Sequence, residues 1–256
     1  MAFPPVVSGS PGYDKTTSTT QKHRLGTKMV YNDGRVFYYC KAAEAITAGL
    51  VTMGTQSATD HDADLAVAEA AAAGATRIKL TNGGSTAITG SGKFTGDFAT
   101  RGDYVDGYVF INDDAGQGQI FSIADHSDAA TSATLTIDLA DNESVQTALT
   151  TSSKAGLHKP LGHSVEIFDI SDIDGSVMGI PTHDIASGEY FWNQTAGPAA
   201  VLSVASLVLG NEAYTCGTDG AAGPSASDNS VEVRLGVVLA VEGNTDYSLI
   251  DLQVRY

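Results

Sequence analysis

Apolar residues recur at every second position in short runs, and turn residues interrupt the runs at a spacing of roughly ten residues. Residues 27–31, the turn Asn32-Asp33-Gly34 and residues 35–41 form the first unit. Gly34 supplies the positive φ that a tight connection needs, so the unit predicts a β-hairpin. Residues 45–53 predict a second turn and strand. Residues 75–81, 104–111, 118–123 and 134–139 alternate in the same way, between turns such as Asn82-Gly83-Gly84 and residues 112–116. The last third predicts strands over 164–169, 175–180, 188–195, 197–204, 206–210, 234–241 and 247–256, with a Gly- and Ser-rich loop over 217–230. Period two with this turn spacing is the pattern of an all-β sandwich or barrel.

Three stretches read differently. Residues 59–74 open with acids and run through alanines to Gly74, which suits a short helix with a glycine stop. The run has no apolar stripe, however, so helix and extended chain both remain open for 65–73. Residues 141–154 are polar, with room for one helical turn. Residues 157–163, with Pro160 and Gly162, read as a linker. The pattern Ile-x-Ala/Ser-Gly before a strand occurs in 45–52 and again in 184–191, and the block between them has its own strand spacing. The expected organisation is an extended N-terminal arm (1–24), a β scaffold (25–58 plus 164–256) and an inserted β-rich domain (59–163). The expected fold is all-β: an antiparallel β-sandwich or barrel-like scaffold with an inserted β-rich region and an extended N-terminal arm.

Composition supports this picture. The 256 residues include 28 glycines, and only 17% are charged, which is low for a helical protein. The net charge of −16 is uneven: residues 1–41 hold six basic and two acidic residues, against 8 basic and 28 acidic in the remainder. An acidic body repels nucleic acid and anionic membrane, so neither is an expected partner. The basic arm suits an acidic protein surface. The two cysteines, Cys40 and Cys216, are too few for a disulfide scaffold and have no zinc spacing. There is no secretory leader pattern and no apolar run long enough for a membrane helix. The expectation is a protein made in the cytoplasm that stays soluble until it binds something.

The search for catalytic chemistry returns incomplete motifs. Gly90-Ser91-Gly92-Lys93 lacks the earlier glycine and the following Ser or Thr of a phosphate loop, with Ala87 and Phe94 in those places. Asp172, Asp174 and Gly175 match the middle of a calcium loop, but its first position would be Ile170 and its twelfth Pro181, so the bidentate Glu is missing. The six histidines have no metal-helix spacing, and no nucleophile elbow is present. No catalytic residue, metal or cofactor is expected, and the chain reads as a non-enzyme.

Residues 184–202, 207–210 and 235–240 give, in order, a glycine-opened strand, a Gly-Pro-Ala strand, a Val-Leu-Gly turn and a Leu-Gly-Val strand. In these features the C-terminal third resembles the head-decoration, or capsid cement, proteins of tailed bacteriophages. Residues 25–51 and 107–123 are similar to phage virion proteins. The resemblance implies a structural protein on the outside of a capsid, bound to the major capsid protein, commonly as a homotrimer or other homo-oligomer, and it carries over no catalytic residue. The alternatives are another virion part, such as a head fibre or tail component, or a carbohydrate-binding adsorption module. The last would use Tyr190 and Trp192 as an exposed pair, although Tyr190, Phe191 and Trp192 in one strand suit core or interface packing better than a ligand platform. Residues 1–24 are expected to be disordered when free and to order on a partner, through the anchors Phe3, Val6, Val7 and Tyr13 and the cations Lys15, Lys22 and Arg24. Tyr190 and Trp192 complete the expected partner-binding set.

Overall fold

The computed structural model describes residues 6–55, 61–82, 104–130, 132–171, 175–204, 206–225 and 232–254. Strand accounts for 48% of the chain and helix for 1%, so the protein is all-β. Strands β1 (Val6–Ser8), β2 (Lys28–Val30), β3 (Val36–Lys41) and β4 (Thr52–Thr55) come first. Then follow β5 (His61–Ala66), β6 (Arg77–Thr81), β7 (Tyr108–Asp113), β8 (Ile120–His126), β9 (Thr134–Leu139) and β10 (Lys154–His158). The last group is β11 (Val165–Ile167), β12 (Gly175–Pro181), β13 (Tyr190–Leu202), β14 (Glu212–Thr215), β15 (Ala222–Gly223), β16 (Arg234–Ala240) and β17 (Tyr247–Gln253). The chain divides into two compact units. One runs to Gln56 and resumes at Leu161; the other lies between Ser57 and Pro160.

In the first unit, β13 pairs with β3 through its first half and with β17 through its second. The first half also pairs with β12, then β12 with β4 and β4 with β11. Ala42, just past β3, bridges Val165 of β11, and this closes a small ring around Cys40, Ile46, Val165, Met178, Ile185 and Phe191. Beyond the second half of β13 the sheet continues through β17, β16, β14 and β15 over a second core that includes Val201, Leu235, Val238, Ile250 and Leu252. Alternation drives both: along β17, Ser248, Ile250 and Leu252 are buried while Tyr247 and Leu249 are exposed.

Where β13 changes partners its backbone is irregular. The register shifts between Gln194 and Ala196, and Gly197 has φ 80°. The side chain of Gln194, itself buried, resolves the polar accounting: its Nε2 donates to the carbonyls of Ala196 (3.1 Å), Gly197 (3.2 Å) and Pro198 (2.9 Å). Asn193 Nδ2 donates to Thr52 Oγ1 (2.8 Å), which donates to the Gly179 carbonyl (2.8 Å). These polar residues inside an apolar strand hold the bend.

The second unit is one six-stranded sheet in the order β5-β10-β7-β8-β9-β6. Val67, after β5, bridges Leu80 of β6, which brings the two ends together into a barrel. Ile78 opposes Ile137 and Leu80 opposes Leu135 across β6 and β9, all four fully buried.

The structure settles or changes four readings. Residues 206–210, expected as a strand, hold no strand and lead into a turn closed from the Asn211 N–H to the Val208 carbonyl. Residues 65–73 are extended, not helical: Leu65 and Ala66 end β5, and Ala71 bridges Leu149. Among the described residues of 141–154 there is no helical turn. The stretch read as a linker begins inside a strand, because β10 runs to His158. Its signal is hidden by Gly156, where a Cβ would lie 2.4 Å from the Phe110 ring. Close packing against that ring demanded a residue of low strand propensity.

Candidate functional site

The N-terminal segment lies on its own scaffold. β1 pairs in parallel with β2, and the N–H of Gly9 continues the pairing to the Val30 carbonyl (2.8 Å). A 3-10 turn at Tyr13–Lys15 follows, and Ser18 and Tyr190 exchange backbone hydrogen bonds at 3.1 and 2.8 Å. Beneath this strap Met29, Tyr31, Phe37, Tyr39 and Trp192 form an aromatic core, with Val7, Leu25 and Tyr190 packed against it. The ring of His23 sits 5.1 Å from both Tyr39 and Trp192, and the ring of Tyr13 is 6.1 Å from Trp192. Burial pushes the Tyr39 hydroxyl up to about 12 and pushes the His23 imidazole below its ordinary value.

Asp14 latches the strap. Its carboxylate is 2% exposed and sits 3.6 Å from Arg35 Nη1. Thr182 Oγ1 donates to Oδ2 at 3.2 Å. The Tyr31 hydroxyl accepts from the Asp14 N–H (2.9 Å) and lies within donating distance of Asp14 Oδ1 (2.9 Å) and the Ser10 carbonyl (2.6 Å). Both ring nitrogens of nearby His183 are shielded from solvent and have no hydrogen-bond partner. Burial lowers its pKa, against the opposing pull of Asp14, Asp184 and Glu189.

The scaffold also has an apolar face turned to solvent. On β17 Tyr247 (44% exposed) and Leu249 (38%) point outward. Opposite them stand Leu202 and Ala200 of β13, and Leu249 is also opposite Ala240 of β16. The β16–β17 register shifts between Val238 and Ala240, and Leu239 at the shift is 43% exposed. Val238 is hydrogen-bonded to the tight turn 208–211, which carries exposed Val208 and Leu209, the latter 66% exposed. A surface groove of about 500 Å³, lined by residues that include Val208, Glu212, Tyr214 and Pro224, adjoins the turn. The Tyr247 ring is held in place over Gly49, where a Cβ would lie 2.5 Å from it.

No protein family, curated protein or solved structure matches the chain. Its surfaces are therefore read from their own chemistry.

Of the expected partner-binding residues, Phe3 lies outside the described residues, as do the phosphate-loop-like Gly90–Lys93 stretch and the acidic pair Asp172 and Asp174. Val7, Tyr13, Tyr190 and Trp192 are brought together, but against this chain's own core. Trp192 is 1% exposed beneath the strap, which fits its reading as a core-packing aromatic and denies the glycan-module alternative the exposed pair it requires. Tyr190 is half-buried and stacked on Tyr39, with rings 5.9 Å apart and 12° from parallel. Val6, Lys15 and Lys22 are exposed and Arg24 is half-buried. The expectation of a disordered segment also differs from the structure for residues 6–24. Asp14 and Tyr13 give this polar stretch enough buried partners to order it on the scaffold.

The sequence reading missed Asp14, Tyr31, Arg35 and His183, which are distant in sequence and meet only in the fold. It also missed the outward face. A signal for that face exists in 247–253, where Tyr247 and Leu249 make a strand apolar on both sides. Among the described residues no group of three or more His, Cys, Asp or Glu could hold a metal ion, and no helix is long and apolar enough to cross a membrane.

Proposed function

We propose that this chain is a structural virion protein that binds the outside of a bacteriophage capsid and stabilises the shell. The observation that carries the reading is the solvent-facing apolar face of β13, β17 and β16. A scaffold whose cores are already filled has no packing reason to keep Tyr247, Leu249 and Leu239 in water, and exposed apolar patches mark protein contacts. Two of these strands, β13 and β16, carry the residues that resemble the cement proteins. A ligand that binds only the assembled shell stabilises it by mass action.

The glycan-module reading needs an exposed Tyr190–Trp192 pair, and Trp192 is buried. Mass spectrometry of purified particles tests the proposal, together with co-sedimentation of the full chain with assembled shells. Expected are detection in the particles, saturable binding and a raised shell melting temperature. Absence from particles together with no co-sedimentation overturns it.

A further inference from the structure

The outward face is apolar at its centre and acidic around it. Glu242 and Asp246 are exposed beside Tyr247, and half-buried Asp251 follows Leu249 outward along β17. From Leu161 to the end, the sequence holds 13 acidic residues and only two basic ones, Arg234 and Arg255. Arg234 is already engaged, with Nε 2.7 Å from Glu212 Oε1 and Nη1 2.9 Å from Gln253 Oε1. Among the described residues from Leu161 on there is no other Lys or Arg, while Lys28 of β2 lines the same surface groove as Asp251. A symmetric contact between two copies through this face would bring Glu242 and Asp246 towards their own kind, and juxtaposed like charges oppose association.

We infer that the Tyr247–Leu249–Leu239 face docks a partner protein surface that is apolar at its centre and basic at its rim. The inference rests on the proposed function and names the chemistry of its partner. Tyr247 is the anchor: its ring is positioned over Gly49 in the free protein, so little side-chain freedom is lost when it is covered. Leu239, at the register shift, extends the apolar centre, and exposed Leu209 stands in the turn that is hydrogen-bonded to the neighbouring Val238. The acids around it guide approach, which makes binding weaken with salt.

The probes are two labelled amphipathic helical peptides, both with leucine on one face, one with lysine and the other with glutamate on the opposite face. They are titrated against the full chain and against two variants: the double variant Leu239→Ser/Leu249→Ser, and Ile120→Ser, which alters an exposed apolar residue of β8 as a control. Expected are at least tenfold tighter binding of the lysine peptide, at least tenfold loss in the double variant with Ile120→Ser unchanged, and weakening as salt rises. Circular dichroism confirms that the variants fold, and exposed positions favour that. Equal affinity for the two peptides overturns the inference. So does an equal loss in Ile120→Ser, or concentration-dependent self-association that the double variant abolishes, which would make a second copy the occupant. Failure of the two proposals is separable. A double variant that still saturates assembled shells removes this face and leaves the capsid function. Face-specific binding of the lysine peptide by a chain absent from particles and unable to co-sediment with shells removes the capsid function alone.

Discussion

Ile46 and Ile185 exchange backbone hydrogen bonds, from the Ile46 N–H to the Ile185 carbonyl at 2.9 Å and in reverse at 2.8 Å. Ala71 and Leu149 do the same in the other unit, at 3.1 and 2.8 Å. The sequences around Ile46 and Ala71 match: residues 43–49 read Ala-Glu-Ala-Ile-Thr-Ala-Gly and 68–74 read Ala-Glu-Ala-Ala-Ala-Ala-Gly, differing at two positions. Both end on a glycine of positive φ, 76° at Gly49 and 88° at Gly74. Ile185-Ala-Ser-Gly188 ends in the same way, with Gly188 at φ 82°, so the turn motif recurs three times, and its pairing across the core explains why an alanine run is extended.

The two glycines separate backbone strain from crowding. Alanine at Gly74 meets no atom within 4 Å and carries only the positive-φ penalty, so Gly74→Ala should destabilise by about 1–2 kcal/mol. Alanine at Gly49 also drives into the Tyr247 ring, so Gly49→Ala should cost about 2–4 kcal/mol. Urea unfolding measures both. Equal losses would mean that the Tyr247 ring swings away freely.

Asp14→Asn keeps the shape of the latch and removes the charge facing Arg35. Hydrogen exchange should show faster exchange of the amides of 6–24, with local stability lower by about 1–3 kcal/mol. The β body should be unaffected. Unchanged exchange in the strap would exclude the latch.

Trp192→Ala should destabilise the protein by about 3–5 kcal/mol, as loss of a large buried side chain does. A residue serving only as a surface platform would leave the melting temperature nearly unchanged, so a thermal scan decides between the two roles.

Gln194→Ala leaves three carbonyls without their side-chain donor. It should destabilise by about 1–3 kcal/mol, and Gln194→Glu by more, because a carboxylate cannot donate and would be buried. A denaturation series that ranks Glu above Ala would refute this account of the bend.

His23 and His183 both have folded-state pKa values below 6.5, in each case chiefly from burial. Each therefore binds its proton more readily unfolded. Their contribution is complete above pH 6.5 and is lost as pH falls from there through the lowered folded values. Melting temperatures between pH 8 and pH 5 should drop on the acid side, less so in His23→Gln and His183→Gln. An acid side unchanged by both substitutions would assign the pH dependence to other groups.

The all-β class was legible in the chain because period-two alternation and Gly turns are local. Asn32-Asp33-Gly34 announced the β2–β3 hairpin, and 134–139 announced β9, with no knowledge of their partners. Where packing chose the residue, the local signal failed. Gly156 looks like a strand breaker until the Phe110 ring is placed against it, and 65–73 looks helical until Ala71 meets Leu149. The same limit governed the site. Aromatic residues were evident at 190 and 192, but their burial depends on Tyr13 and His23, which reach them only after the chain has turned back on itself. Asp14, Arg35 and Thr182 are spread over 168 positions, and no spacing rule joins them. Alternation, turns and charge balance are properties of neighbouring residues, so the sequence by itself determined them. Which face stays wet, which carboxylate is buried and which aromatic ring is covered depend on long-range pairing, and only the tertiary structure decided those.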